Sequence, residues 1–328
     1  MSRDTHIYVR THARLHLGFL DLNGSLGRQF GSIGMSLEDI FLELEAAPSL
    51  GFTVTGPGAA RAEAIARSVF DAIGYGGGVD LRIHRSIPEH AGLGSGTQLT
   101  LAVGSACARL AGSALGVDEL ADMLMRGQRS GIGIGTFQQG GFVVDGGRGP
   151  ATRIPPVITR LPVPDPWRFV LVMDRSRQGT HGEMESDAFA RLSSMPESQS
   201  AHLCRVTLMR LLPALAEVDC QGFGAAITEI QSIIGEHFSR WQSGRYTSSE
   251  VGAALADFTG QGATGVGQSS WGPTGFAIFP DAVTAARAME SARKRWPDGS
   301  HLDFVSCRAG NHPATIRSEN VAARHAHG

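Results

Sequence analysis

The chain has 328 residues, of which 42% are hydrophobic and 18% are charged, a composition typical of water-soluble globular proteins. Its formal net charge of −2 argues against nucleic acid as a main partner and leaves small anionic ligands open. We expect neither a signal peptide nor a membrane-spanning segment, and hence a cytoplasmic protein with no membrane partner. The length favours two lobes, each with its own core.

Alternating and apolar runs predict several strands in the first half of the chain. These strands are expected over residues 7–20, 33–45, 52–55, 81–87 and 139–146. An amphipathic run predicts a helix over 59–73. A glycine-rich turn then leads to a helix over about 97–115, and Asp118 is expected to cap a short helix that reaches Met125.

The second half follows a proline-rich stretch at 155–166. Strands are expected over residues 169–173, 276–279 and 301–307, and helices over 199–217, 221–238 and 281–296. Residues 260–275 are expected to form a second glycine-rich turn, and the chain is expected to fray from about Ser318.

Strands and helices do not alternate strictly along the chain, which favours an α+β fold over a doubly wound parallel sheet. We therefore expect a first lobe at residues 1–155 and a second lobe at residues 156–318. Residues 319–328 are expected to form a disordered tail.

The most informative motif is Pro88-Glu89-His90-Ala91-Gly92-Leu93-Gly94-Ser95-Gly96-Thr97, between a predicted strand and a predicted helix. Its glycines allow tight turns, and the start of the helix offers unpaired N–H groups and a positive dipole end. Such a segment is suited to phosphate or diphosphate. No lysine follows the last glycine as in a Walker motif, and the spacing does not fit a dinucleotide-binding fingerprint. A plain strand-to-helix turn is the alternative.

This segment resembles the phosphate-loop motif of the GHMP kinases, Pro-x-x-x-Gly-Leu-Gly-Ser-Ser before a helix, with Gly96 in place of the second serine. A later segment, Gly265-Val266-Gly267-Gln268-Ser269-Ser270-Trp271-Gly272-Pro273, resembles the glycine-rich third motif of that superfamily. The resemblance implies a two-lobed GHMP kinase-like fold, with an N-terminal lobe like the second domain of ribosomal protein S5. It also implies ligand binding by Gly92, Gly94, Ser95, Gly96, Thr97, Gly265, Gly267, Ser269 and Ser270.

A closer resemblance begins at Ala13-Arg14-Leu15-His16-Leu17-Gly18 and continues through Asp21 and Arg28. This opening is similar to that of the ribofuranosylaminobenzene 5'-phosphate synthases, as is the middle segment from Arg129 to Gly147. The resemblance covers about residues 7–310. It implies a decarboxylating pentosyltransferase that joins phosphoribosyl pyrophosphate and 4-aminobenzoate, releases diphosphate and carbon dioxide, and uses Mg²⁺. The family's products feed methanopterin-type cofactor synthesis.

One departure from the kinases favours this synthase chemistry. Many GHMP kinases carry Ser-Gly-x-Asp in the middle segment, where the aspartate helps to activate the hydroxyl that receives phosphate. This chain has Ser130-Gly131-Ile132-Gly133, and glycine cannot accept a proton. A kinase that recruits another base, and a binding protein that kept the fold without the chemistry, are the alternatives.

Asp21 and Arg28 are the expected catalytic pair. With the family match, Asp21 is expected to face the positive charge that develops on the ribose, or to contact Mg²⁺. Arg28 is expected to hold a carboxylate or a phosphate through two hydrogen bonds. The alternatives are a turn residue in Asp21-Leu22-Asn23-Gly24 and a solvated loop arginine.

Other polar residues are candidates for the substrate site. Arg14 and His16 lie on the same face of a strand and are expected to line the cleft, although a structural role for His16 is an alternative. His90 could contact an anion or be a solvated loop residue. Glu183 and Glu185 are candidate Mg²⁺ ligands, with acidic residues of a first helical turn as the alternative. A homodimer is the expected assembly.

Overall fold

The computed structural model describes residues 5–177, 179, 193–239, 241–242, 244–297 and 300–320. Within them, the strands are β1 (Thr5–Asp21), β2 (Phe30–Ser49), β3 (Phe52–Thr55), β4 (Gly78–Arg85), β5 (Phe142–Asp145), β6 (Val157–Leu161), β7 (Arg168–Asp174), β8 (Gly265–Gln268), β9 (Thr274–Phe279), β10 (Leu302–Cys307) and β11 (Thr315–Asn320). The helices are α1 (Ala59–Ile73), α2 (Ser95–Leu110), α3 (Val117–Met123), α4 (Ile132–Gln139), α5 (Glu197–Val206), α6 (Leu212–Ala216), α7 (Cys220–Phe238), α8 (Ser249–Gly260) and α9 (Ala282–Arg295). A π-helical turn, Thr207–Leu211, joins α5 to α6.

The first sheet has seven strands in the described chain, in the order β11-β1-β2-β4-β3, with β5 beside β2 and β6 beside β5. β2 is 20 residues long; it pairs with β1 over most of its length, and with β4 and β5 along two different stretches. The register of β1 against β2 shifts between His16 and Gly18. Such bulges bend a strand and often lie next to functional sites.

The second sheet has the order β10-β7-β9-β8, and its neighbours are antiparallel. Alternate side chains of β7 point to opposite faces, as the two-residue period of a strand requires. Phe169 and Leu171 join the core shared with the first sheet, whereas Val170 and Val172 join the core formed with α8 and α9. The shared core therefore packs the two sheets into one molecule and fixes the loops between them.

The expected α+β architecture is confirmed, and several of its elements match closely. The strand at 52–55 and the helix at 59–73 have the predicted bounds. The helix predicted over 97–115 is α2, which ends at Leu110 because the chain turns at Gly112, whose φ is +70°. The expected cap of α3 was wrong. Gly116 is the N-cap, and its N–H donates to Glu119 Oε2 at 2.7 Å.

Some elements were not expected from the sequence. No helix or strand was predicted over α4, α8 or β6, and β8 lies in the segment that was expected to form a glycine-rich turn. β6 pairs with β5 in the first sheet, although it follows the expected lobe boundary at residues 155 and 156. The expected fraying from Ser318 was also wrong as far as Asn320, because β11 pairs with the edge strand β1. Residues 321–328 lie outside the described chain.

Candidate active site

The predicted phosphate loop joins β4 to α2. His90, Gly92 and Gly94 all have positive φ, at 55°, 78° and 79°, a backbone conformation that glycine adopts without strain. Gly94 is the N-cap of α2, and no side chain caps this helix. The first N–H groups of α2 therefore lack partners within the helix, which makes its start suited to an anion.

The second glycine-rich loop approaches the phosphate loop through Ser269. The Ser269 hydroxyl donates to the Gly92 carbonyl oxygen at 2.7 Å and accepts from the His16 N–H at 3.1 Å. A β-carbon on Gly92 would lie 2.3 Å from the Ser269 carbonyl oxygen, so only glycine allows this approach. Ser269 is buried, and it joins β1, the phosphate loop and the second loop at one point.

The glycines at the start of the second loop have a different environment. Gly265 and Gly267 lie in β8, and a β-carbon on them would lie 2.4 Å from the Gly224 carbonyl oxygen and 2.5 Å from Gln231 Cγ, respectively. Both glycines therefore allow α7 to pack closely on β8. The structure does not bring them to the cavity beside the phosphate loop.

A cavity of about 350 Å³ opens beside the phosphate loop. Of the residues expected in the site, its wall contains Arg14, His90, Gly92, Gly94, Ser95, Gly96, Thr97 and Ser270. Arg14 is half-buried, and its Nη1 donates to the Gly92 carbonyl oxygen at 2.6 Å. Ser270 adopts a φ of +56°, a strained conformation for serine that is common at functional sites.

Two arginines in the cavity wall were missed by sequence reasoning. Arg61 lies in the first turn of α1, and Arg126 follows α3. Burial, followed by the charge of Arg61, lowers the pKa of Arg126 from its usual value. Neither residue belongs to a motif. The one available signal concerned Arg61, a basic residue at the start of a helix, where the dipole disfavours positive charge.

The segment that distinguishes this chain from the kinases lies against the phosphate loop. Gly133 is in the first turn of α4, and a β-carbon on it would lie 3.0 Å from Thr97 Cγ2. The Gly133 carbonyl oxygen accepts from Gln98 Nε2 at 2.8 Å. Gly133, the predicted counterpart of the kinase aspartate, therefore faces the phosphate loop and carries no side chain.

Asp21 is the last residue of β1, and Arg28 lies in the loop between β1 and β2. Asp21 is seven residues beyond Arg14, or about 20 Å at the usual rise of a strand. Its Oδ1 accepts from the N–H groups of Asn23 at 2.7 Å and Gly24 at 3.1 Å. Neither Asp21 nor Arg28 belongs to the wall of the cavity beside the phosphate loop.

The exposed Arg28 side chain is held by backbone carbonyl groups. Its Nε donates to the Gly146 oxygen and its Nη2 to the Gly147 oxygen, both at 2.9 Å. The Gly147 N–H in turn donates to the buried carboxylate of Asp145 at 2.9 Å, which also accepts from the N–H of Gly131 at 2.9 Å. Asp145 therefore connects the loop around Arg28 to the start of α4. Burial raises the pKa of Asp145.

His16 is buried beneath the second loop. Its Nε2 has no hydrogen-bond partner among the described residues, and its ring packs at 4.6 Å from that of Phe19. Burial, followed by the charge of Arg14, lowers the pKa of His16 to about 3. The ring lines a narrow cavity of about 30 Å³ together with Phe238 and Trp271, so His16 is a neutral polar group behind the main cavity.

The expected metal ligands Glu183 and Glu185 lie outside the described residues. The chain approaches this segment from Gly179, whose N–H donates to the His90 carbonyl oxygen at 2.9 Å. It continues at Met195, whose N–H donates to the Leu22 carbonyl oxygen at 3.2 Å. Within the described parts of the chain, no three acidic, histidine or cysteine side chains cluster in a way that could hold a metal ion.

Comparison with protein families matches both halves of the chain. Residues 60–141 match the GHMP kinases N terminal domain, and residues 211–298 match the GHMP kinases C terminal domain. Among the described residues, every helix is too short or too polar to cross a membrane.

Two curated proteins with the same name are similar to most of the chain. The beta-ribofuranosylphenol 5'-phosphate synthase of Archaeoglobus fulgidus is 35% identical, over 82% of this chain and 87% of that protein. Its namesake from Methanothermobacter thermautotrophicus is 31% identical, over 83% of this chain and 88% of that protein.

Solved structures of GHMP proteins share the fold. A homoserine kinase from Cytophaga hutchinsonii aligns with a TM-score of 0.66 at 16% identity, over 97% of this chain and 98% of that chain. The mevalonate diphosphate decarboxylase of Staphylococcus aureus aligns with a TM-score of 0.67 at 14% identity, over 95% and 98% of the two chains. Identities this low are informative about fold alone.

Proposed function

Because the chain belongs to the family of the beta-ribofuranosylphenol 5'-phosphate synthases, we propose that it transfers the phosphoribosyl group of phosphoribosyl pyrophosphate to a 4-substituted benzoate. The ring carbon that carries the carboxylate forms a bond to C1 of the ribose, while the bond from C1 to the diphosphate oxygen breaks. The carboxylate then leaves as carbon dioxide, and its electron pair returns to the ring. No oxidant or reductant is required.

The observation that carries this proposal is the position of Gly133 against Thr97. By the sequence resemblance, many GHMP kinases have a carboxylate at this position that helps to activate a hydroxyl, and glycine cannot do so. The proposed reaction needs no base to deprotonate the attacking carbon, because carbon dioxide leaves that carbon in place of a proton. The site therefore suits the synthase chemistry better than phosphoryl transfer to an alcohol.

The phosphate loop has a clear role in this reaction. Negative charge grows on diphosphate as its bond to C1 breaks, and fixed positive groups stabilise that charge. The start of α2 and the guanidinium group of Arg14 provide such groups in the cavity wall. We assign diphosphate to this cavity for that reason.

Asp21 and Arg28 are proposed to act at the other end of the substrate complex. At about 20 Å from Arg14 along β1, Asp21 is too far for a contact with diphosphate, and Arg28 follows it in the loop between β1 and β2. A benzoate bound beyond the ribose would extend the complex towards them. We therefore propose that this pair orients the acceptor, while Asp21 Oδ1 also shapes its own turn.

Mg²⁺ is the proposed cofactor. Protein sites for Mg²⁺ often supply one or two carboxylates, while substrate phosphates and water complete the coordination. Glu89, Ser95 and Thr97 in the cavity wall offer oxygen atoms of this kind, and Glu183 and Glu185 remain predicted ligands. When bound, the ion would neutralise part of the charge on diphosphate.

The acceptor class is a benzoate with an electron-donating group opposite the carboxylate. The curated relatives are named for a ribofuranosylphenol phosphate product. A phenol product of this reaction would come from 4-hydroxybenzoate as the acceptor. The aminobenzene form of the same product would come from 4-aminobenzoate. Both substituents push electrons towards the attacking carbon, so the proposal covers both compounds.

A product assay tests the proposal. The protein is incubated with phosphoribosyl pyrophosphate, Mg²⁺ and either benzoate, and the products are followed by phosphorus NMR and mass spectrometry. We expect one diphosphate for each ribosylated, decarboxylated aromatic product. Phosphorylation of a small alcohol by ATP without any aromatic product would instead identify a GHMP kinase. Inactivity in both assays would favour a binding protein.

A further inference from the structure

Arg61 fills the space beside Gly96 in the phosphate loop. A β-carbon on Gly96 would lie 2.8 Å from Nη2 and 3.2 Å from Nη1 of Arg61. The GHMP kinase motif has its second serine at this position. In this chain, a guanidinium group therefore occupies the space that the serine side chain would need.

Arg61 is exposed to solvent, at a place in the helix where the dipole disfavours positive charge. It lies in the first turn of α1, where no acidic residue balances the positive end of the helix dipole. Arg14 and Arg126 line the same cavity, and Glu89 is the one carboxylate in the described part of its wall. Three guanidinium groups thus surround about 350 Å³ of space.

Arg126 gives a second, independent indication of a ligand. Its Nε is buried and has no hydrogen-bond partner among the described residues. No carboxylate in the described chain forms an ion pair with Arg126 or with Arg61, although other surface arginines such as Arg67 have one. A buried donor without a partner is costly in a folded protein, and a bound anion would satisfy it.

We propose that Arg61 and Arg126 form the subsite for the departing diphosphate, with Arg61 in place of the second serine of the phosphate-loop motif. This inference rests on the proposed function and deepens it, because it assigns the residues that receive the leaving group. As the C1–oxygen bond breaks, its electron pair stays on diphosphate, and the two guanidinium groups neutralise the added charge. Guanidinium groups suit this role because each can donate two parallel hydrogen bonds to phosphate oxygens.

The proposal distinguishes the two phosphate-bearing ends of the donor. Inorganic diphosphate represents the leaving group, and ribose 5-phosphate represents the end that stays on the product. Binding of each compound is measured by isothermal titration calorimetry in the absence of any benzoate. The matched control is Arg67→Gln, which changes an exposed arginine on the same helix that pairs with Glu63.

We expect Arg61→Gln and Arg126→Gln each to weaken diphosphate binding by about tenfold or more, as for the loss of a hydrogen bond to a charged group. Ribose 5-phosphate binding should change by less than about threefold, and Arg67→Gln should bind like the unchanged protein. An unchanged diphosphate affinity in either variant would overturn the subsite. So would an equal loss for both ligands, which would indicate general attraction of anions.

The substitution Gly96→Ser tests the link between Gly96 and Arg61. A serine should push the flexible end of Arg61 aside and weaken diphosphate binding by a similar factor. In an Arg61→Ala background, the same serine should have little further effect, because the guanidinium group is already absent. Equal, additive effects of Gly96→Ser in both backgrounds would contradict the assignment.

These measurements separate the subsite from the proposed reaction. Tight diphosphate binding that depends on Arg61, in a protein without synthase activity, would retain the subsite and reject the proposed function. Synthase activity in an Arg61→Gln variant whose diphosphate affinity is normal would reject the subsite and retain the proposed function. Failure of the unchanged protein to bind diphosphate at millimolar concentration would overturn the subsite directly.

Discussion

Gly133 and Thr97 lie face to face across the start of α4 and the start of α2, at a distance where a β-carbon on Gly133 would be 3.0 Å from Thr97 Cγ2. This contact is tight. Gly133, where the sequence resemblance predicts the carboxylate of many GHMP kinases, therefore lies directly beside the phosphate loop. The lack of a side-chain carboxylate at this position is the feature that best distinguishes this site from a phosphoryl-transfer site of the same fold.

The substitution Gly133→Asp should therefore impair the synthase. A carboxylate beside the phosphate loop would repel diphosphate, and we expect turnover to fall by about tenfold or more. Gly133→Ala is the matched control, because it adds the β-carbon without the charge. Steady-state kinetics with phosphoribosyl pyrophosphate would check this. Equal losses in both variants would show that crowding, and not charge, explains the glycine.

Asp21→Asn should remove a charge that is proposed to orient the acceptor, while preserving the local fold. Asparagine keeps the Oδ1 atom that accepts from the N–H groups of Asn23 and Gly24. We expect the free energy of unfolding to stay within about 0.5 kcal/mol, and turnover to fall by about a hundredfold or more. Asp118→Asn, at an exposed helical position, serves as the control. Near-normal turnover would limit Asp21 to shaping its turn.

Arg28→Ala should affect both stability and activity. Its two hydrogen bonds to the carbonyl oxygens of Gly146 and Gly147 are lost, which should lower the free energy of unfolding by about 1 kcal/mol. Turnover should fall by about a hundredfold if Arg28 orients the acceptor. Arg153→Ala, which removes another exposed arginine, is the control. A stability loss with unchanged turnover would reject the catalytic role.

His16 should make the fold sensitive to acid. Its pKa is lowered to about 3 by burial, so between pH 6.5 and pH 3 the unfolded chain binds a proton that the folded protein excludes. The free energy of unfolding therefore falls as pH falls, with a contribution of about 2 kcal/mol at pH 5. Burial also lowers the pKa of His12, which adds to the same trend.

Urea unfolding at pH 7 and pH 5 would measure this effect. Between pH 7 and pH 5, His16→Gln should lose less stability than the unchanged protein. His301→Gln, a change at an exposed position, should lose as much stability as the unchanged protein. An identical pH dependence for His16→Gln and the unchanged protein would show that His16 does not titrate on unfolding in this range.

The elements that the sequence predicted well are those whose signals are local. β3 has the predicted bounds because its residues favour a strand, and α1 has them because helical periodicity and the glycine at position 74 mark its extent. No helix was predicted over α8, which contains Gly252 and ends at Gly260. Its buried Val251, Ala254, Leu255 and Phe258 nevertheless have helical spacing, so the signal was present but weaker than the glycine content.

The candidate site was only partly predictable for a physical reason. The phosphate loop is a continuous segment, so its residues were identified together. Arg61 and Arg126 reach the cavity only because of how α1, α2 and α3 pack, and no local pattern encodes that arrangement. Gly267 was predicted to bind a ligand because it lies in a glycine-rich segment. In the structure it instead allows α7 to pack closely on β8.

The most direct test of the central claim uses 4-aminobenzoate or 4-hydroxybenzoate labelled at the carboxyl carbon. The protein is incubated with the labelled compound, phosphoribosyl pyrophosphate and Mg²⁺, and the released carbon dioxide is counted. We predict release that requires all three components and that falls by about tenfold or more in Gly133→Asp. No release with either benzoate, from a folded protein that binds phosphoribosyl pyrophosphate, would contradict the synthase assignment.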